Sequence, residues 1–136
     1  MKFLLDTNIC IYAMKNEPST LARLAATARS EVSVSVITEA ELRTGAAKST
    51  AAAKTLRLVE NFLRPLTIVD FTCTDAAAYA QIRAKLEIAG TPIGSMDMLI
   101  GAQAMARRLI LVSNNEREFQ RISGLRLENW TGVSAR

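Results

Sequence analysis

The sequence predicts an α/β fold of three layers, in which a central parallel sheet of about five strands is flanked by helices. Short runs of β-branched and aliphatic residues alternate along the chain with longer segments of helical pattern. Strands separated by helices require crossover connections, which favour a parallel sheet with helices on both faces. The 136 residues are 49% hydrophobic and 22% charged, which suits a single domain, 1–136, with a sizeable core.

The predicted strands are short apolar runs followed by polar or turn-forming residues, and the predicted helices fill the intervals between them. The five strands are 2–5, 32–36, 66–69, 109–112 and 125–127. The six longer helices are 9–15, 20–29, 39–48, 51–63, 75–89 and 96–107, and a short helical turn is predicted at 116–121.

Several helix boundaries follow from local chemistry. Pro18 is expected to begin the second helix and Pro65 to end the fourth, because proline lacks a backbone donor and fixes φ. Gly90 is expected to end the fifth helix in the left-handed conformation. Ser95 is expected to cap the sixth.

The absence of histidine restricts the chemistry more than any other feature of the composition. It excludes the Ser-His-Asp and Cys-His nucleophile systems and any zinc site that uses imidazole. Two cysteines, Cys10 and Cys73, cannot form a four-thiolate site, and both are expected to be buried thiols. The remaining carboxylates favour hard cations with oxygen ligands, namely Mg²⁺ or Mn²⁺.

Charge and hydropathy give weaker indications. The net charge of +4 permits a polyanionic partner such as nucleic acid but does not require one.

The longest apolar run, 9–14, is too short to cross a membrane. The apolar run at the amino terminus stops at Asp6, too early for a signal peptide. A cytoplasmic protein without membrane attachment is therefore expected.

Three acids lie where chemistry is expected, since open parallel sheets bind ligands at the carboxyl ends of their strands. Asp6 directly follows the first strand and is interpreted either as a metal ligand or as a helix cap. Glu41 lies beyond the second strand, but Thr38 and Glu41 also match a capping box, which taken alone is the favoured interpretation. Asp97 lies in the first turn of the sixth helix, where an acid also stabilises the helix dipole.

A fourth polar cluster follows the fourth strand. Asn115 is interpreted either as a residue that binds a metal-bound water or as a helix cap, and Glu118 lies one turn later. Closely packed carboxylates raise each other's pKa unless a cation neutralises them, so a divalent metal is the simplest explanation of all four clusters. Such a site hydrolyses phosphodiesters without histidine, and basic residues around it would hold a nucleic-acid backbone.

The same clusters resemble the motifs of a known family, the PIN-domain nucleases, and specifically the VapC-type toxins of bacterial toxin–antitoxin pairs. The similarity extends over essentially the whole chain. The matching segments are FLLDTN (3–8), ITEAEL (37–42) with Gly45, GTPIG (90–94) leading to Asp97, SNNEREF (113–119) and the ending at 124–130.

The resemblance implies that Asp6, Glu41 and Asp97 form an acidic core that binds Mg²⁺, with Mn²⁺ as a possible substitute. It implies that the hydroxyl of Thr7 assists near the metal. Many family members have aspartate where this chain has Asn115, so a fourth carboxylate is missing there. Glu118 is the candidate replacement, and the departure puts a second metal position in doubt.

Family membership further implies an endoribonuclease that is neutralised by a cognate VapB-type antitoxin, whose tail blocks the acidic pocket. A homodimer and a larger complex with the antitoxin are expected, with operator DNA bound only through the antitoxin. Structured RNA, specifically the anticodon loop of initiator tRNA, is the expected substrate. Two alternatives stay open: a catalytically weak PIN-like nucleic-acid-binding module, and a PIN nuclease that acts on DNA or in RNA maturation without an antitoxin.

Overall fold

The computed structural model describes residues 1–132, so the last four residues of the predicted domain lie outside the described part. The strands are β1 (Phe3–Leu5), β2 (Val32–Ser35), β3 (Thr67–Val69), β4 (Ile110–Val112) and β5 (Leu127–Glu128). The helices are α1 (Thr7–Met14), α2 (Pro18–Ala25), α3 (Val36–Lys48), α4 (Ala52–Leu63), α5 (Cys73–Ala89), α6 (Ser95–Arg107) and α7 (Glu116–Phe119). A turn of 3₁₀ helix, Arg29–Glu31, precedes β2.

The five strands form one parallel sheet in the order β3-β2-β1-β4-β5, with β1 at its centre. Leu5 lies opposite Val34 of β2 and Val112 of β4, so these three strands end at nearly the same level. The strand residues of β1, β2 and β4 are all buried, as is typical of a parallel sheet with both faces covered. The predicted fold class is confirmed.

Alternation along β1 divides the core between the two faces of the sheet. Phe3 and Leu5 contribute to a cluster with the apolar sides of α1 to α4 and with Trp130. Leu4 points to the other face and belongs to a cluster formed with α5, α6 and α7. The three predicted layers are therefore helices, sheet and helices.

Most helix termini have the chemistry that the sequence indicates. Asp6 caps α1 by accepting a hydrogen bond from the backbone of Ile9 at 2.8 Å. Thr72 and Asp75 form a reciprocal capping box at the start of α5. Gly90 ends α5 in the left-handed region with φ of 73°, as predicted.

Two capping predictions are wrong. Gly94 is the N-cap of α6, and Ser95 is already the first helical residue, without a side-chain cap bond. The helix α3 starts three residues earlier than predicted, because Ser35 caps it by accepting from the backbone of Ile37. Thr38 therefore lies inside the first turn, and the Thr38–Glu41 pair forms no capping box.

The prediction that both cysteines are buried is half wrong. The side chain of Cys10, in α1, is completely buried in the hydrophobic core, whereas Cys73 is exposed. Cys73 is the first residue of α5, where the helix leaves the edge strand β3 and the side chain has no covering layer.

Close packing of α6 against α7 positions two of the candidate acids. A Cβ atom at Gly101 would lie only 2.8 Å from Cδ1 of Ile122 and 3.5 Å from the ring of Phe119. Glycine at this position lets the two helices approach. The approach brings the segment that carries Glu118 towards the beginning of α6, which carries Asp97.

A search of residues 1–132 for membrane-spanning helices finds none that is long and apolar enough.

Candidate active site

The carboxyl edge of the sheet places polar residues side by side at the ends of β1 and β4. The backbone of Asp6 donates to the carbonyl of Val112 at 3.0 Å, so the strand pairing continues as far as Asp6. Ser113 follows Val112 at the same level and is completely buried. The hydroxyl of Ser113 hydrogen-bonds the Asp6 carboxylate.

Asp6 is the buried centre of the cluster. Only 3% of its surface is exposed. Its carboxylate accepts hydrogen bonds from the backbone of Ile9 and from Ser113. Asp6 therefore has one of the two roles that the sequence left open, because it caps α1. It also lies next to the other candidate acids, and its role as a metal ligand stays a prediction.

Glu41 joins the cluster through a pair of threonine hydroxyls. The hydroxyl of Thr7 lies 2.6 Å from Oε1 of Glu41 and 3.0 Å from Oγ1 of Thr38. The single hydroxyl proton of Thr7 faces both acceptors, and the contact with Glu41 is the shorter of the two. Thr7 of α1 thus connects the half-buried Glu41 side chain of α3 to the end of β1.

Asn115 connects the two remaining acids. Its amide nitrogen donates to Oδ2 of Asp97 at 3.2 Å and to Oε2 of Glu118 at 2.8 Å. The backbone of Asn115 is itself held by the hydroxyl of Ser113 at 2.8 Å. Asn115 occupies the N-cap position of α7, but its side chain makes no cap bond and faces the acids instead.

Lysine and arginine side chains of residues 1–132 form no ion pair with the four carboxylates, which are those of Asp6, Glu41, Asp97 and Glu118. Burial, together with the nearby charges of Asp97 and Glu41, raises the pKa of Asp6 to about 7 against two hydrogen bonds that lower it. Burial and the charge of Glu118 also raise the pKa of Asp97.

The donor set fits a hard divalent cation. Carboxylate oxygens, hydroxyls and one amide are the ligands that Mg²⁺ and Mn²⁺ prefer, and a cation would relieve the repulsion that raises both pKa values. As the side chains lie, no three acidic or thiol groups in residues 1–132 converge closely enough to enclose a metal ion. Several ligands can therefore reach one ion only if their side chains rotate.

The sequence indicated six site residues, and the structure brings all six into two connected groups. Thr7 and Glu41 form one group beside Asp6, and Asp97, Asn115 and Glu118 form the other. By contrast, Glu39 of the same helix as Glu41 forms an ion pair with Arg43 at 2.8 Å and belongs to neither group.

Sequence reasoning missed two members of the site. Thr38 was considered only as a cap, and Ser113 only as a polar residue at a strand end. A signal for Ser113 was present, since it follows β4 as Asp6 follows β1. Thr38 gave no comparable signal, because its contact with Thr7 joins residues 31 positions apart.

Known proteins with a similar sequence identify the family of the chain. The family model for the PIN domain matches residues 3–125, which covers most of the chain. The chain belongs to the PIN-domain family. It is 39% identical over 131 residues to the tRNA(fMet)-specific endonuclease VapC of Shigella flexneri, covering 96% of this chain and 99% of that protein. It is 42% identical over 130 residues to the protein of the same name from Salmonella typhimurium, covering 96% and 98%.

A solved structure agrees with the sequence matches. DNA-bound VapBC from Salmonella typhimurium superposes with a TM-score of 0.91 at 43% identity, covering 96% of this chain and 98% of that chain. The VapC relationship that the sequence motifs indicated is therefore confirmed. The protein is a nuclease of the VapC group.

The unusual pKa of Asp6 predicts how a variant responds to pH in the absence of metal. The pKa is 3.8 in the unfolded chain and about 7 in the folded protein. Asp6 therefore favours folding at low pH, and this contribution is lost as the pH rises through about 7. We expect Asp6→Asn to melt several degrees above the wild type at pH 8, with a difference that shrinks towards pH 5.

The measurement is thermal unfolding in EDTA between pH 5 and pH 8. Asp70→Asn is the matched control, because Asp70 is an exposed acid and removal of its charge should leave the melting curve nearly unchanged. A difference between Asp6→Asn and the wild type that stays constant over this pH range would contradict the raised pKa.

Proposed function

We propose that the protein is the toxin of a type II toxin–antitoxin pair and acts as a Mg²⁺-dependent endoribonuclease on initiator tRNA. The observation that carries this proposal is that four carboxylates lie in two neighbouring groups at the carboxyl edge of the sheet, and that none of them takes part in an ion pair within the described residues. The names of the relatives from Shigella and Salmonella support the choice of tRNA(fMet). Cleavage in the anticodon loop would inhibit translation.

Asp6, Asp97 and Glu41 would hold the metal ion. When bound, a divalent ion lowers the pKa of a water molecule and neutralises charge that develops on the phosphate. Hydrogen bonds hold two of these acids in the metal-free protein: Asp6 accepts from the backbone of Ile9, and Glu41 accepts from Thr7. Rotation of acid side chains would then complete the coordination.

Asn115 and Glu118 would complete the site on the side of Asp97. The amide of Asn115 donates to both carboxylates and so keeps Glu118 close to Asp97 despite their like charges. We propose that Glu118 supplies the carboxylate that Asn115 lacks. A neutral amide binds a divalent ion more weakly than a carboxylate does.

The antitoxin is proposed to be of the VapB type, and the toxin to form a homodimer within a larger complex. The likeness to a DNA-bound VapBC complex supports a partner that carries the operator-binding part. An antitoxin tail with a basic residue suits a buried acidic pocket, because it neutralises the carboxylates and occupies the position of the metal.

A second candidate function is a PIN-like RNA-binding module with weak catalysis. It is favoured by Asn115 at the position of an acid and by the absence of a ready-made cluster of three ligands in the described chain.

The decisive experiment incubates the antitoxin-free protein with an initiator tRNA transcript and with an elongator tRNA, in Mg²⁺ or in EDTA. Hydrolysis by water needs no 2′-hydroxyl, so we expect cuts in initiator tRNA with 5′-phosphate and 3′-hydroxyl ends and no cutting in EDTA. Cyclic 2′,3′-phosphate ends that persist in EDTA would refute the metal mechanism. RNA binding without cleavage would favour the binding module.

Glu41→Gln separates charge from hydrogen bonding. Glutamine still accepts the hydrogen bond from Thr7 but binds a divalent cation more weakly than a carboxylate does, so we expect an unchanged melting temperature and a loss of cleavage of about 100-fold or more. Glu39→Gln on the same helix is the control and should cleave normally, because Glu39 pairs with Arg43 outside the site. A Glu41→Gln protein with wild-type activity would remove Glu41 from the catalytic site.

Asn115→Asp tests the departure from the family pattern. The added carboxylate should lower the Mg²⁺ concentration for half-maximal cleavage several-fold, and it should destabilise the metal-free protein, because two donated hydrogen bonds become charge repulsion. If Glu118 already supplies the missing acid, Glu118→Gln should raise the Mg²⁺ requirement more than Asn115→Asp lowers it. Mg²⁺ titrations of both variants that match the wild type would exclude this region from the site.

A further inference from the structure

A groove with a basic rim lies outside the acidic cluster, between α5 and the residues that follow α7. Its volume is about 340 Å³. The buried side chains of Ile82, Leu86 and Ile122 contribute its apolar floor. Lys85 and Arg121 line it as exposed cations.

A second groove, of about 330 Å³, continues from the first. The two share Met105 as a lining residue, and the second is lined by Arg108 and Arg126. We call the four cations Lys85, Arg108, Arg121 and Arg126, together with Met105 between them, the basic surface.

The charge of the basic surface is not compensated locally. No aspartate or glutamate is among the residues that line either groove. In the ion pairs formed within residues 1–132, none of the four cations takes part. Arg126 instead donates to the carbonyl of Arg108, which keeps these two neighbours together.

The basic surface reaches the edge of the acidic cluster through Arg121. Its guanidinium donates to the carbonyl of Pro92 at 2.9 Å, in the loop that leads to Asp97. Its backbone donates to the carbonyl of Glu118 at 3.0 Å. A polyanion bound along the basic surface would therefore extend to the side of the site that contains Asp97 and Glu118.

We propose that the basic surface binds the sugar–phosphate backbone of the RNA substrate, away from the phosphodiester that is cleaved. The acidic cluster itself repels RNA, so the affinity for the substrate must come from cations elsewhere on the protein. The apolar floor accommodates ribose or base surface beside the bound phosphates. The proposal rests on the proposed ribonuclease function, because it takes RNA as the ligand.

The test measures binding of a fluorescent initiator tRNA transcript in EDTA, where cleavage by a metal-dependent site is stopped. The variant is Lys85→Gln combined with Arg108→Asn; asparagine suits the left-handed conformation of Arg108, which has φ of 56°. The control combines Lys48→Gln with Arg64→Asn. It removes one lysine and one arginine from α3 and the end of α4, which pack on the other face of the sheet.

We expect the basic-surface variant to bind roughly tenfold more weakly at low salt and the control variant to bind like the wild type. The dependence of log Kd on log salt should also become shallower by about 1 to 2 for the basic-surface variant, since phosphate contacts release counterions. Thermal unfolding of both variants checks that they are folded.

Equal affinities and equal salt dependence for the two variants would overturn the proposal. The proposal would also be overturned if the basic-surface variant bound RNA like the wild type but eluted at a different volume in size-exclusion chromatography without RNA. That result would assign the basic surface to contact with a second copy of the chain. Cleavage of the same transcript in Mg²⁺ is measured in parallel. A wild-type protein that fails to cleave while the two variants still differ in RNA binding would refute the ribonuclease function and leave the basic surface intact.

Discussion

The burial of Asp6 at the end of the central strand is the constraint on which the rest of the site depends. β1 pairs on both sides, so Asp6 emerges between two neighbouring strand ends, where the helices above it exclude water. A carboxylate in that position is costly to ionise, and its pKa is correspondingly raised to about 7. Hydrogen bonds from α1 and from Ser113 reduce this cost only in part.

Neutral donors hold the other acids around Asp6. The hydroxyl of Thr7 orients Glu41, and the amide of Asn115 holds Asp97 and Glu118 together. These groups donate hydrogen bonds without bringing a positive charge. The cluster therefore keeps its negative field, and a divalent cation gains more from binding than it would beside acids already paired with lysine or arginine.

The fold and most of the site could be predicted from the sequence because both depend on local pattern. An apolar run that ends in a polar residue identifies a strand and its carboxyl end together, and this placed Asp6 and the segment after β4 on one edge. Glu41 was harder, because Thr38 and Glu41 fit a capping box if the helix begins directly after Thr38. Instead Ser35 caps α3 three residues earlier by accepting from the backbone of Ile37, which places Thr38 inside the helix.

Contacts between distant segments could not be predicted from pattern. The bridge from Asn115 to Asp97 requires α6 and α7 to approach at Gly101, and the hydrogen bond from Thr7 to Thr38 joins residues on either side of a crossover. The exposure of Cys73 is a similar case. It depends on the position of β3 at the edge of the sheet, which follows from the strand order and not from the residues around the cysteine.

The separation of charge over the molecule follows from the same constraint. With a net charge of +4, the chain has cations in excess, yet the ion pairs of the described residues leave the four site carboxylates unpaired. A lysine or arginine beside Asp6 would stabilise the metal-free protein but would compete with the metal. A phosphodiester substrate and the proposed metal ion would thus make opposite demands on local charge. The cations of the basic surface line grooves outside the acidic cluster, which is the separation that these two demands require.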